Sequence, residues 1–214
     1  MIIASMKNME NGLFDLLDDD DYGIICGSDE AGRGPLAGPV TAAAVVLPSD
    51  FPFGILHDSK AMSEKEREEA EVIIKEKATA WAIVSLSHKV IDKVNILQAS
   101  LEAMRRAYLK VAEQVKVDTL MVDGNKKPDV PVRTIAVVKG DSKIPEIMAA
   151  SILAKTERDR IMMLCDRKWP AYGYSKHKGY PTKEHRKAIA EYGPSPIERL
   201  SFHVKEEELT PDLF

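Results

Sequence analysis

Hydrophobic and polar positions along the chain form five short apolar runs bounded by turn signals and four longer stretches with helical spacing. Residues 23–27, Gly-Ile-Ile-Cys-Gly, read as a short buried strand that carries on to Asp29. A second strand is predicted over 40–47, stopped by Pro48, which has no N–H for a ladder. Ser63 with Glu66 three residues on predicts a capping box. It opens a helix to about Ala78 that buries Ala70, Ile73 and Ile74, and residues 81–87 follow as a third strand. Val94, Leu97, Leu101, Met104, Tyr108 and Val111 recur at alternating spacings of three and four, so the pattern puts them on one packing face of a helix. Strands over 117–122 and 132–138 end at Asp123-Gly124-Asn125 and Lys139-Gly140-Asp141. A helix from about Ile144 to Lys168 carries Ala149-Ala150-Ser151, small enough for close backbone packing. A loop of Gly, Tyr, Lys and His follows Pro170, then a last helix near Lys183 to Tyr192, then loop and charged tail from Pro194. Strands interleaved with helices predict the α/β class.

Carboxylates gather at the strand ends: Asp29 and Glu30, Asp123, and Asp141. In open α/β sheets ligands bind beyond strand ends, where the strand order reverses. If the first and fourth strands are neighbours, Asp29 and Asp123 face one another. Carboxylates crowded in a dry site repel each other and take up protons unless a cation joins them. Magnesium or manganese suits all-oxygen ligation, and the lack of a Cys/His cluster argues against zinc. Directly after Asp29-Glu30 comes the turn Gly32-Arg33-Gly34, whose glycines let the backbone approach a ligand and whose N–H groups can face an anion. Metal-holding carboxylates beside such a turn point to phosphodiester chemistry. Taken alone, the acidic pair reads as a solvated turn and Asp123-Gly124-Asn125 as a turn with a left-handed glycine; together they do not.

Composition narrows the field. The 214 residues are 44% hydrophobic and 30% charged, an ordinary globular balance. No apolar run approaches a membrane span, and Met1 to Asn11 lacks the regions of a signal peptide, so the cytoplasm is the expected compartment. Cys26 and Cys165 form neither a CxxC pair nor a disulfide framework and read as buried free thiols. The net charge of −4 gives no global attraction to nucleic acid, but bases gather over 139–168 and 176–187, and local distribution outweighs the sum.

Seven segments, in order, resemble bacterial ribonuclease HII: 29–40 (Asp-Glu-Ala-Gly-Arg-Gly-Pro-Leu-Ala-Gly-Pro-Val), Asp58-Ser59-Lys60, 122–125, 139–141, 149–155 with Arg158-Asp159, Gly179-Tyr180-Pro181-Thr182 with His185, and Ser201-Phe202. The match spans roughly 23–202. It implies a ribonuclease H-like fold, a mixed five-stranded sheet flanked by helices with a helical C-terminal extension. The implied division is a variable lead-in over 1–22, a catalytic domain over 23–203 and a tail over 204–214. The resemblance further implies a metal-dependent endonuclease that cuts the RNA strand of RNA–DNA hybrids, and cuts 5′ to single ribonucleotides in duplex DNA, leaving 5′-phosphate and 3′-hydroxyl ends. Carried over by position, Asp29, Glu30, Asp123 and Asp141 hold Mn2+ or Mg2+ for two-metal hydrolysis. Gly32, Arg33 and Gly34 contact the 2′-hydroxyl and phosphates at the junction, and Tyr180 stacks on the neighbouring sugar. A monomer is expected.

Other residues carry blander readings. Asp159 reads as an ion-pair partner; Lys143, Lys155 and Arg158 read as phosphate contacts or as a solvated helix face. His177 and His185 read as duplex contacts and not as a general base. Trp81 and Trp169 read as packing, and Tyr172 and Tyr174 as parts of a turn around a glycine. The tail either folds back on the core or docks Leu209, Leu213 and Phe214 on a replication partner such as a sliding clamp. Two rivals stand beside the ribonuclease: a DNA-strand nuclease of similar fold, which needs no reader of the 2′-hydroxyl, and a hybrid-binding module without catalysis. A pure binder gains nothing from concentrated negative charge facing phosphate.

Overall fold

The computed structural model describes residues 22–202 and joins the five apolar runs into one sheet. The strands are β1 (Ile25–Ala31), β2 (Val40–Val46), β3 (Ala80–Leu86), β4 (Thr119–Asp123) and β5 (Arg133–Val137), side by side in the order β3-β2-β1-β4-β5. β1, β2 and β3 pair antiparallel, whereas β4 and β5 run parallel to β1. The order reverses at β1, where the chain leaves toward β2 on one side and returns to β4 on the other. The C-terminal ends of β1 and β4 therefore lie side by side, at the position where such sheets bind ligands.

Every residue of β2 is buried, because helices cover both faces of the sheet. The helices are α1 (Glu64–Lys77), α2 (His88–Val94), α3 (Ile96–Ala112), α4 (Pro145–Lys168), α5 (Tyr174–His177) and α6 (Lys183–Tyr192), with short 3-10 turns at Phe53–Ile55, Gly140–Ser142 and Pro170–Tyr172. Val40, Ala42, Ala44 and Val46 face α3, while Ala43 and Val45 face α1 and α4, the period-two alternation of a strand. Ser63 caps α1 in the predicted capping box, and Ala70 and Ile74 are buried while Ile73 is partly so.

α4 is the helix that positions the site. Pro145 starts it, at a first-turn position where the missing N–H costs nothing. Ala149, Ala150 and Ser151 are buried against the sheet, as their size predicts. The approach is closest at Gly27, where an added Cβ would lie 2.2 Å from the Glu146 carbonyl carbon. Only glycine lets strand and helix meet at that distance. Ile152 and Leu153, both fully buried, each contribute ~1.5–3 kcal/mol of hydrophobic stabilisation.

Several expectations shift. The helix with the alternating stripe does not include Val94: Asn95 takes φ 67 and breaks the run, leaving Val94 in α2 and 36% exposed. The face buried on the sheet is centred on Ala99, Ala103 and Ala107 with Met104, Tyr108 and Val111, because alanines let α3 sit close; Leu97 and Leu101 are only half-buried. β1 starts later than predicted and runs through Asp29 and Glu30 to Ala31. Asp141 is not at a strand end but in the Gly140–Ser142 turn beyond β5, after left-handed Lys139. The stretch after Pro170 is not loop but a 3-10 turn followed by α5. Cys26 is a buried free thiol, whereas Cys165 is a free thiol that is only partly buried. The lead-in and the tail, with its Leu209, Leu213 and Phe214, lie outside the described residues. No helix among the described residues is long and apolar enough to cross a membrane.

Candidate active site

The parallel pairing of β1 with β4 brings Asp29, Glu30 and Asp123 to one end of the sheet. Asp29 is 5% exposed and lies under α4. Burial first, then the Glu30 and Asp123 carboxylates, push its carboxyl well above the usual range, against a hydrogen bond from Ser151. Ser151 in turn bonds Ser59 at 2.9 Å, so the loop before α1 braces the residue that braces Asp29. Glu30 is pushed up to about 7 by burial, with Arg33 opposing and Asp123 adding. These are the shifts expected where like charges share a poorly solvated space.

Asp123 links this pair to the fourth carboxylate. Its Oδ1 accepts hydrogen bonds from the Gly140 N–H at 2.7 Å and the Asp141 N–H at 3.4 Å, tying the 3-10 turn to the end of β4. Asp141, 6% exposed, pairs through Oδ2 with Lys60 Nζ at 2.7 Å, a contact that raises the lysine's pKa. Arg33 Nη1 sits 3.2 Å from Glu30 Oε1. The four acids thus face two cations, each engaged with one carboxylate. Among the described residues no group of three or more His, Cys, Asp or Glu is arranged to hold a metal ion as it stands. The donor set is all oxygen, and once ionised its four carboxylates carry more negative charge than Lys60 and Arg33 balance, the chemistry of a hard divalent cation site.

The turn after β1 supplies a second kind of surface. Its carbonyls point inward, onto Arg199 and Arg158. With the Gly32 and Arg33 carbonyls turned inward, the amides of Arg33 and Gly34 in the same peptide planes point the other way. Gly32 takes φ +97, and a Cβ there would lie 2.1 Å from Arg158 Nε, so both its conformation and its neighbour demand glycine. The Tyr180 ring, 44% exposed, lies beside Gly34, with Cε1 3.5 Å from where a Cβ would be.

Other predicted residues separate. Asp159 is an ion-pair partner as expected, bonded to Lys155 at 2.7 Å and Arg67 at 3.4 Å. Lys143 donates to the Val138 carbonyl. Arg158, 1% exposed, is neither a phosphate contact nor part of a solvated face: its guanidinium bonds the carbonyls of Pro39, Ala37 and Lys178. His177 and His185 do not face a duplex. His185 is fully buried and His177 9% exposed, their rings stacked at 4.5 Å. Gly173 is left-handed between stacked Tyr172 and Tyr174, a structural turn as read. Sequence reasoning gave no role to Lys60, Ser59, Glu198 or Arg199, and read Ser151 only as a small packing residue. The Asp58-Ser59-Lys60 segment signals the first two; nothing local signals Glu198 or Arg199.

Known proteins share the sequence and the fold of this chain. The family model for ribonuclease HII matches residues 26–205. The chain is 51% identical over 180 residues to ribonuclease HII of Dechloromonas aromatica, covering 84% of this chain and 91% of the relative. Among solved structures, ribonuclease H2 from Pyrococcus horikoshii superposes with a TM-score of 0.69 at 26% identity, over 84% of this chain and 94% of the other. A chain of the PCNA:RNase HII complex from Archaeoglobus fulgidus gives 0.69 and 26% over 86% and 97%. The fold is ribonuclease H-like, and the chain belongs to the ribonuclease HII family, a hydrolase of the ribonuclease H type.

Proposed function

We propose that this chain is a divalent-metal-dependent endonuclease that hydrolyses the RNA strand of RNA–DNA hybrids and cuts 5′ to single ribonucleotides embedded in duplex DNA. The observation that carries this reading is the pairing of two surfaces at one sheet end. One is a cluster of four carboxylates, in which burial and neighbouring carboxylates push Asp29 and Glu30 above the usual range. The other is the adjoining turn, whose Gly32 and Arg33 carbonyls are drawn onto Arg199 so that the Arg33 and Gly34 amides are turned away from it.

Asp29, Glu30, Asp123 and Asp141 would hold Mg2+ or Mn2+, which supplies the charge to activate water and stabilise the leaving oxygen in a two-metal displacement. Lys60 and Arg33 each engage one oxygen of their carboxylate, Asp141 Oδ2 and Glu30 Oε1, so the second oxygen of each would be open to an ion. Gly32, Arg33 and Gly34 read the 2′-hydroxyl, the group that separates RNA from DNA, and Tyr180 stacks on the sugar at the junction. The products carry 5′-phosphate and 3′-hydroxyl ends. Enzyme stripped with a chelator is expected to lose cleavage of a labelled hybrid and to recover it on adding Mg2+ or Mn2+, but not Ca2+, whose looser coordination misplaces the reacting oxygens. Full cleavage in chelator would remove the metal from the account.

The A. fulgidus relative was solved in complex with PCNA, which supports a sliding clamp as a partner of this chain; that Leu209, Leu213 and Phe214 would make the contact is read from the sequence alone. Deleting residues 206–214 is expected to abolish binding to the cognate sliding clamp and to spare cleavage; unchanged clamp binding would end that role.

A further inference from the structure

We infer that the dipeptide Glu198–Arg199 is a positioning clasp that sets the 2′-hydroxyl-reading turn and Tyr180 in register, and so governs discrimination of a single ribonucleotide from a continuous RNA strand. The inference rests on the functional reading above and names a determinant of specificity in that site.

Arg199 is 2% exposed and uses all five N–H donors of its guanidinium on the turn. Nη2 reaches the Gly32 carbonyl at 2.6 Å and that of Pro39 at 3.0 Å. Nη1 reaches Pro35 at 2.7 Å and Arg33 at 3.1 Å, and Nε reaches Gly38 at 3.0 Å. Drawing the Gly32 and Arg33 carbonyls inward fixes their peptide planes, and the amides of Arg33 and Gly34, which share those planes, then face the other way. No carboxylate pairs with this guanidinium among the described residues. Burial and Arg158 lower its pKa to about 9, against the nearby Asp92 and Glu198 carboxylates.

Glu198, 6% exposed, holds the other element. Its Oε1 meets His185 Nε2 at 3.0 Å and accepts from the Tyr174 hydroxyl at 2.9 Å. His185 Nδ1 lies 3.0 Å from the Tyr180 carbonyl, which can only accept, so that nitrogen carries a proton. One carboxylate thus fixes the ring that fixes the backbone of Tyr180. The backbone completes the clasp: the Arg199 N–H donates to the Leu36 carbonyl and the Leu36 N–H to Gly179, both at 2.8 Å. Two adjacent residues, with opposite charges and different partners, therefore set the distance between the two reading surfaces.

The test is the ratio of kcat/KM on a DNA duplex with one ribonucleotide to that on a continuous hybrid, measured for wild type, Arg199→Lys and Glu198→Gln. Lysine keeps the charge but offers three donors for five carbonyls. Arg199→Lys is expected to lower the ratio at least tenfold, mostly through kcat on the single-ribonucleotide substrate, with hybrid cleavage falling much less. Glu198→Gln is expected to lower it severalfold, and it decides the matter if Arg199→Lys does not fold. A constant ratio, with both substrates falling in parallel or neither falling, would show that the dipeptide only holds the fold and would overturn the inference. Wild type that fails to cut the single-ribonucleotide duplex would instead overturn the functional reading, and the clasp with it.

Discussion

Asp123→Asn is expected to lower kcat/KM on an RNA–DNA hybrid by at least about a thousandfold, a loss of ~4 kcal/mol of transition-state stabilisation. The substitution is informative because it is nearly isosteric. Asp123 Oδ1 accepts from Gly140 and Asp141, and an asparagine carbonyl oxygen can accept the same two bonds. The turn that carries Asp141 then stays in place, and what is removed is one negative charge from the centre of the cluster. Hybrid affinity, which comes mainly from phosphate contacts elsewhere, should remain largely intact. Steady-state kinetics with a binding measurement on the same hybrid checks both halves. Wild-type turnover in this variant would take Asp123 out of the mechanism.

Glu30→Gln is expected to abolish cleavage and, in metal-free buffer, to stabilise the protein. The folded-state pKa of Glu30, about 7, lies above the ordinary carboxyl value of 4.5. Below 4.5 the group is protonated in folded and unfolded chains alike and contributes no difference. As pH rises from there through 7, the folded state must surrender a proton it binds more tightly than the unfolded chain does, and stability falls. Above pH 7 the ionised side chain costs about 3 kcal/mol relative to solvent exposure. Denaturant unfolding in chelator should therefore show a gain for Glu30→Gln of that order at pH 8 and little change at pH 4.5. Adding Mg2+ should raise the stability of wild type and close the gap. A variant no more stable than wild type at pH 8 would mean that Arg33 already neutralises Glu30.

These two expectations share one physical basis: a fold that concentrates like charge and leaves it partly unbalanced. Much of this was legible in the sequence, for local reasons. The capping box at Ser63, the small residues of α4 and the acids flanking predicted strands depend on spacings of a few residues, which a sequence displays directly. Neighbouring β1 and β4 was a conditional reading, and the parallel pairing now meets it. What stayed hidden depends on contacts between distant segments. Arg199 meets Gly32 across 167 residues, and a buried guanidinium among carbonyls leaves no periodic signature. The histidines failed for the same reason: placed in a basic stretch they read as surface, while Glu198 and Tyr174 draw His185 into the interior. The break at Asn95 is a third case, since a stripe that continues through a left-handed residue reads as unbroken.

The central claim is that the acidic cluster and the outward-facing turn form one site that cuts at ribonucleotides. The most direct measurement compares three end-labelled duplexes in Mg2+ and in Mn2+: DNA with one ribonucleotide, a continuous RNA–DNA hybrid, and DNA alone. The account predicts cleavage of the first on the 5′ side of the ribonucleotide, leaving a 3′-hydroxyl and a 5′-phosphate, cleavage of the second at multiple positions, and none of the third. Cleavage of the hybrid alone would contradict the junction-reading roles of Arg33 and Tyr180. Cleavage of the all-DNA duplex would contradict the reading of the 2′-hydroxyl itself.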